Sequence, residues 1–205
     1  HVTTQKEISL LELEIDKVKT LYINEIENGT LPDISFEFHL KEGVVEEVIK
    51  RYDKKLHPTL VIMGTRDKKQ KQADLIGSVT AEVMEQIKTP VLAIPNDINI
   101  KPLDCIHNIA IATSLGKNYL QNYDKGMQFF QDYTGNIHLL HVMEMDEINN
   151  KEDYDEKQQK MQDLLTKART AYPKANISPK FIEATQSRAR ELNFFAESNK
   201  TDLIV

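Results

Sequence analysis

TLVIMGTRDKKQKQADLIGSVTAEVMEQIKTPVLAIP, residues 59–95, is the stretch that decides the fold. Its apolar run at 60–63 has the length and β-branched content of a buried parallel strand, and the run ends at Gly64. A polar loop follows, after which Gly77 and Ser78 open a segment whose apolar residues, Val79 among them, recur as on one helical face. A second apolar strand at 91–94 stands between two prolines. This order of parts predicts a β-α crossover of an α/β protein.

The parts around Gly64 are also those of a phosphate-binding loop. A strand ending in glycine, a loop with three lysines between positions 68 and 71, and a helix opening at Gly77 and Ser78 let backbone N–H groups face an anion. The spacing differs from the Walker type, which needs Lys and then Ser or Thr directly after its second glycine. A plain crossover with a glycine-relieved turn explains the same residues, so both interpretations stay open.

The segment resembles the carboxyl half of a universal stress protein domain. The nucleotide loop of that family reads G-x2-G-x9-G followed by Ser or Thr. Gly64, Gly77 and Ser78 keep this pattern and its loop length, whereas Asp67 takes the place of the middle glycine. The flanking residues VIMGT and TPVLAIP are also similar to that family.

The resemblance implies an adenine nucleotide, ATP with Mg²⁺ or AMP, as the ligand of this loop. The cofactor-binding residues would be Gly64, Thr65, Asp67, Gly77, Ser78 and Val79. Asp67 adds negative charge where phosphate would sit, and Coulomb repulsion at ~4 Å costs about 1 to 4 kcal/mol, or roughly one to three decades in affinity. We therefore expect weak or degenerate nucleotide binding. The open alternative is a protein-interaction module with no cofactor, in which Ser78 is only an N-cap.

The rest of the chain alternates helices with short apolar strands. We predict helices at 4–26, 44–56, 117–133, 151–171 and 187–199, and strands at 34–40, 106–112, 137–142, 177–184 and 203–205. The alternation predicts a doubly wound parallel α/β sheet, which the resemblance identifies as Rossmann-like, of the adenine nucleotide alpha hydrolase-like type. Residues 96–104 have turn-like polar clusters and no periodicity, so we predict a linker there.

An internal repeat divides the chain. Residues 44–62 and 187–205 have equal length, and each reads helix, polar turn, apolar strand. The same offset places Ile34 on Ile177 and Phe38 on Phe181. We therefore expect two tandem copies of one domain, at 1–95 and 105–205. The resemblance implies that the first is the carboxyl part of a domain and the second an amino part, and that the copies pack as a pseudo-dimer, with a homodimer as a further assembly.

The second copy lacks one feature of a nucleotide site. In nucleotide-binding members of the family, an Asp near the end of the first strand contacts adenine, and Thr113 stands at that position here. A hydroxyl is shorter and uncharged, so we expect little adenine recognition by the second copy.

Other candidate sites are weaker. His138 and His141 fall on opposite faces of one predicted strand, so they cannot chelate one metal together. The acidic run at 144–156 lacks an EF-hand pattern and is expected to be a solvated loop and helix start. The chain has no nucleophile motif, so we expect neither a metal nor an enzyme. A slow ATPase in which Asp67 positions a metal or water ranks third.

Charge and composition limit the classes of binding partner and the compartment that we expect. The net charge is −6 and the basic residues are dispersed, which argues against nucleic acid. The chain has no apolar run of membrane-spanning length and no signal pattern. A single cysteine, Cys105, fits a reducing cytoplasm. We expect a cytoplasmic stress-response module with an adenine nucleotide or a protein as partner.

Overall fold

The computed structural model describes residues 5–65, 78–95 and 106–205. The amino-terminal half is here residues 5–95 and the carboxyl-terminal half residues 106–205. Two of the predicted site residues, Asp67 and Gly77, and the predicted linker lie outside the described residues.

Helices and parallel strands alternate along the described chain. The elements are α1 (Gln5–Glu27), α2 (Val45–Leu56), β1 (Val61–Thr65), α3 (Ser78–Gln86), β2 (Val91–Pro95), β3 (Asn108–Ala112), α4 (Tyr119–Met127), β4 (Asn136–Met143), α5 (Met145–Asn149), α6 (Lys151–Ala171), β5 (Asn176–Glu183), α7 (Arg188–Ser198) and β6 (Leu203–Ile204). Most predicted elements are confirmed with ends shifted by one or two residues, which is the usual uncertainty of a helix or strand boundary.

The carboxyl-terminal half contains a four-stranded parallel sheet in the order β5-β4-β3-β6. On one face, α4 and α6 pack against Ile109, Ile137 and their neighbours in a core that includes Met161 and Leu164. On the other face, α7 places Phe195 against Ala110 and Leu140. Because successive residues of a strand point to opposite faces, β3 and β4 supply both cores and read as continuous apolar runs. The doubly wound α/β fold is confirmed.

The amino-terminal half contains a two-stranded parallel sheet. Strands β1 and β2 pair from Val61 with Val91 to Thr65 with Pro95, and α3 connects them. The Thr89 hydroxyl donates a 2.6 Å hydrogen bond to the carboxylate of Asp53, which ties α2 to the connection before β2. This part of the fold brings the carboxyl ends of two parallel strands side by side.

The predicted repeat has a structural counterpart. Helix α2 begins at Val45 and α7 at Arg188, and each leads through a short turn into a strand, β1 or β6. The division into two domains with a linker stays a prediction, since the linker lies outside the described residues.

The predicted strand at 34–40 is wrong: these residues form no ladder with another described strand. A β-strand exists only when a neighbour supplies backbone hydrogen bonds. The equivalent segment of the other half, β5, has such a neighbour in β4. Phe36 and Phe38 instead pack edge-on against each other and against Tyr22 of α1, with ring centroids 5.4 to 6.1 Å apart.

The predicted helix at 117–133 is too long, because α4 ends at Met127. The carbonyl of Met127 accepts a 3.0 Å hydrogen bond from the buried hydroxyl of Tyr172 on the chain after α6. It also accepts from the N–H of Phe130, which closes a tight turn. Phe130 and Tyr133 then pack against the core instead of continuing the helical face. These two aromatic residues therefore belong to the core but not to the helix.

An asparagine ladder lies at the amino ends of three strands. Asn108, Asn136 and Asn176 are in register as the first residues of β3, β4 and β5. The Asn136 amide donates to the side-chain oxygen of Asn108 at 2.8 Å, and the Asn176 amide donates to that of Asn136 at 3.0 Å. Because a shift by one residue would break both hydrogen bonds and reverse the buried faces, the ladder helps to fix the register.

Replacement of the central rung should destabilise the protein. Asn136→Ala removes both side-chain hydrogen bonds, and we expect the free energy of unfolding to fall by about 1 to 3 kcal/mol. Urea denaturation measures the change. Asn122→Ala, on the exposed surface of α4, is the control and should stay within about 0.5 kcal/mol of the wild type. Equal stability of the two variants would show that the ladder does not contribute.

Candidate functional site

The predicted nucleotide loop starts at the carboxyl end of β1. Gly64 and Thr65 pair with Ile94 and Pro95 at the ends of the two parallel strands. Ser78 begins α3, so the loop joins a strand end to a helix N-terminus. Residues 66–77, which form most of the loop and include Asp67 and Gly77, lie outside the described residues. The complete set of six site residues therefore stays a prediction.

The first turn of α3 differs in detail from the sequence prediction. Thr80 and Val83 are the buried residues of α3, whereas Val79, expected on the buried face, is 39% exposed. Ser78 is exposed as well. The first turn carries no acidic residue, so the positive end of the helix dipole is not neutralised by a carboxylate of the same turn. Among the described residues, Ser78 and Val79 thus stand at a helix start whose first turn supplies no compensating carboxylate.

A second candidate site lies at the carboxyl ends of β3 and β4. A small cleft of about 150 Å³ is lined there by Thr113, Ser114, Leu140, Val142, Arg188 and Leu192. Its floor is formed by the ends of the two central strands, and its charged group is the guanidinium of Arg188. In an open α/β sheet this is the edge at which ligands bind.

The polar atoms of Thr113 already have partners within the protein. Its N–H donates to the carbonyl of Leu140 at 2.9 Å, and its hydroxyl oxygen accepts from the N–H of Leu115 at 3.0 Å. Its carbonyl accepts a 2.8 Å hydrogen bond from Nδ1 of His141. The position where the family places an adenine-contacting Asp is therefore engaged in local structure and carries no charge.

An ionic cluster, which we define as Glu144, His141, Glu147, Lys157 and Arg188, surrounds the end of β4. The Glu147 carboxylate lies 3.6 Å from His141 Nε2, 3.6 Å from Lys157 Nζ and 3.8 Å from Arg188 Nη2. Arg188 Nε is 2.9 Å from the carboxylate of Glu144. Glu147 is only 13% exposed, so it is not part of a solvated loop as the acidic run suggested.

The short helix α5 places Glu147 in this cluster. A capping box joins the Glu147 carboxylate to the backbone N–H of Glu144, and the Glu144 side chain accepts in turn from the N–H of Glu147. The signal in the sequence was the spacing of the two glutamates, which is that of a capping box. The partners Lys157 and Arg188 lie on α6 and α7, and no local sequence pattern predicts that they contact Glu147.

The two histidines of β4 lie on opposite faces, as predicted. The ring of His138 packs against Phe195 of α7, and its Nδ1 is 2.9 Å from the hydroxyl of Ser178. His141 packs against Phe181 on the side of α6. Burial lowers the pKa of both imidazoles below the ordinary value of 6.5. Lys180 lowers the pKa of His138 further.

The described residues form neither a metal-binding cluster nor a membrane-spanning helix. Within residues 5–65, 78–95 and 106–205, three or more His, Cys, Asp or Glu side chains nowhere group as a metal site would require. No helix of this described part has the length and apolarity to cross a membrane.

The histidine pKa values predict how stability depends on pH. Below pH 6.5 the unfolded chain binds protons more readily than the folded protein does, because the pKa of each of the two histidines is lower in the folded state. The stability that the neutral histidines contribute is therefore complete above pH 6.5 and is lost as the pH falls through the native pKa values. One proton corresponds to a slope of about 1.4 kcal/mol per pH unit. Urea denaturation at a series of pH values measures it. His138→Gln should reduce the slope, and His107→Gln, at an exposed position, should not; equal slopes for both variants would contradict the prediction.

Comparison with known proteins shows similarity to one protein family. Residues 3–95 match the sequence model of the universal stress protein family. No curated protein matches the chain. Among solved structures, a universal stress protein from Archaeoglobus fulgidus DSM 4304 is similar over 99% of this chain and 68% of its own, with a TM-score of 0.65 and 14% identity. A protein from the universal stress protein family from Burkholderia pseudomallei aligns with 49% of this chain and 80% of its own, at a TM-score of 0.42 and 15% identity.

The two kinds of comparison agree with each other. The structural similarity to the Archaeoglobus fulgidus protein shows a common fold along nearly the whole chain. The family match covers the segment that contains β1, α3 and β2. Residues 3–95, slightly less than half of the chain, match the universal stress protein family, and the chain shares its fold with the Archaeoglobus fulgidus protein.

Proposed function

We propose that this protein is a cytoplasmic stress-response module that binds an adenine nucleotide weakly through the loop from Gly64 to Val79. The observation that carries the proposal is the placement of the two loop ends. Gly64 and Thr65 lie at the carboxyl ends of parallel strands, and Ser78 begins a helix whose first turn has no carboxylate. Backbone N–H groups at such a helix start attract phosphate.

Weak binding follows from the charge at position 67. The family pattern has a glycine there, which permits close backbone approach to phosphate, and this chain has Asp67. A carboxylate near phosphate is repelled by it, and the three lysines at 68, 69 and 71 offset part of that repulsion. Nucleotide affinity would therefore depend on the balance between one carboxylate and three ammonium groups.

The carboxyl-terminal half would contribute little to nucleotide recognition. The cleft beside Thr113 has a volume of about 150 Å³, whereas pockets for drug-sized ligands measure about 300 to 1,000 Å³. Thr113 offers no negative charge, and its hydroxyl already accepts from Leu115. We therefore assign the nucleotide to the amino-terminal half alone.

The second candidate function is a protein-interaction module that binds no nucleotide. It is favoured by an apolar groove of about 590 Å³ between residues 37–41 and α2, with Val48, Tyr52 and Leu56 in its wall. Asp67 and Thr113 favour the same alternative, because each departs from the nucleotide-binding pattern. A slow ATPase ranks third, since no second acidic partner for Asp67 has been identified.

Calorimetric titration with Mg-ATP tests the nucleotide proposal. We expect micromolar binding to the purified chain at one site. Asp67→Gly should tighten binding by about one decade or more, because it removes the repelling carboxylate. Ser78→Ala should weaken it by roughly tenfold, the value of one hydrogen bond to a charged group.

The control is Thr113→Ala, which removes a hydroxyl from the cleft of the other half. We expect an affinity for Mg-ATP equal to that of the wild type. If neither the wild type nor Asp67→Gly releases heat, the nucleotide proposal is overturned and the interaction module stands. A loss of affinity in Thr113→Ala with none in Ser78→Ala would move the site to the carboxyl-terminal half.

A further inference from the structure

His141 is a buried imidazole with one nitrogen engaged and one without a hydrogen-bond partner among the described residues. Its side chain is 2% exposed, and Nδ1 lies 2.8 Å from the carbonyl oxygen of Thr113. A carbonyl only accepts hydrogen bonds, so the proton of the neutral ring must be on Nδ1. Nε2 then carries a lone pair, and within the described part of the chain this buried atom has no hydrogen-bond partner.

A carboxylate stands where a donor to Nε2 would be expected. Glu147 Oε1 is 3.6 Å from Nε2 and is itself an acceptor when ionised. Two acceptors thus face each other with no proton between them, at a distance too long for a hydrogen bond. One added proton on Nε2 would turn this contact into a charge-assisted hydrogen bond, which is among the strongest in proteins.

Charged groups from three helices act on this pair. Besides Glu147 of α5, Lys157 of α6 lies 3.6 Å from the same oxygen and donates to the carbonyl of Ser114 at 3.1 Å. Arg188 of α7 lies 3.8 Å from the other oxygen of Glu147. Burial lowers the pKa of His141, Thr113 and Glu147 act to raise it, and Lys157 and Arg188 lower it further. Phe181 of β5 adds an uncharged ring edge.

The same carboxylate connects His141 to the cleft. Arg188 lines the cleft, is half exposed, and is held by Glu147 and by Glu144. A positive charge on His141 would neutralise most of the field of Glu147 at short range. The attraction between Glu147 and Arg188 would then fall, while the 2.9 Å contact with Glu144 would remain.

We propose that His141 and Glu147 form a one-proton switch: when Nε2 takes up a proton from solvent, it donates a hydrogen bond to Glu147 and weakens the hold of that carboxylate on Arg188 at the mouth of the cleft. The switch needs no ligand, and it is independent of nucleotide binding at the Gly64 loop. It acts where the acid and the base are both nearly enclosed, so the field between them is weakly screened by salt.

The test is an NMR titration of the full chain with ¹⁵N-labelled histidine and arginine, between about pH 5 and 8, where imidazoles titrate. At neutral pH we expect the His141 tautomer with the proton on Nδ1. On acidification, the protection of the Arg188 guanidinium protons against solvent exchange, taken relative to the base-catalysed rate of free arginine at the same pH, should fall with the same midpoint as the protonation of His141. His138, on the opposite face, is the internal reference.

Two isosteric variants separate the switch from ordinary packing. Glu147→Gln removes the charge that favours the imidazolium, so the midpoint of His141 should fall by about half a unit or more and the response of Arg188 should disappear. Glu144→Gln removes the charge of the carboxylate that contacts Arg188 Nε, and Glu144 is not among the groups that shift the pKa of His141. It should leave the His141 midpoint within about 0.2 unit of the wild type and raise Arg188 exchange at every pH.

The switch is overturned if the proton is on Nε2 at neutral pH, or if the exchange protection of Arg188 does not change at the His141 midpoint. It is also overturned if the two variants have equal His141 midpoints. The first two outcomes are measured on the wild type, so the test stands even if a variant fails to fold. A His138 midpoint that moves as far as that of His141 in Glu147→Gln would indicate a general change of structure and would also overturn it.

Discussion

Pairing of β3 with a parallel strand on each side is the interaction on which the rest of the structure depends. β3 lies between β4 and β6, and its alternate residues enter the core with α4 and α6 and the core with α7. Because both faces are covered, the register of β3 fixes which side chains are buried. It also fixes where the strand ends, and therefore where Thr113 presents its carbonyl to His141. The asparagine ladder at the opposite ends of these strands supports the same register.

The need for a neighbour explains where sequence reasoning succeeded and where it failed. Helix α6 was predicted with its observed ends, since a long periodic segment carries its own evidence. The segment 34–40 has the alternation of a strand, and Phe36 and Phe38 do lie on one side, yet no described strand pairs with it. Periodicity reports which residues are buried. It does not report whether a partner strand is present.

The Gly64 loop and the ionic cluster around Glu147 differ in how far the sequence could predict them. Gly64 and Ser78 can be proposed from sequence alone because a strand end, a glycine and a helix start are local features. The cluster around Glu147 joins residues from β4, α5, α6 and α7, and only the crossovers of the sheet bring them together. Each of its members alone resembles ordinary surface charge or a buried polar residue. No spacing rule could have selected Lys157 and Arg188 from the other charged residues.

The two halves distribute charge differently at the carboxyl edges of their sheets. In the amino-terminal half, the first turn of α3 has no acid. In the carboxyl-terminal half, the Glu191 carboxylate accepts from the N–H groups of Thr185 and Gln186 before α7, and Glu144 and Glu147 hold Arg188. Donors that would meet an external anion there already meet carboxylates of the same chain.

The buried Nε2 of His141 affects how the folded protein responds to acid. Desolvation alone would make its protonation a step towards unfolding, because the unfolded chain would bind the proton more tightly. Glu147 offers the proton a partner inside the folded protein, so the native state can take up the proton, and the ion pairing of Arg188 responds before the fold is lost.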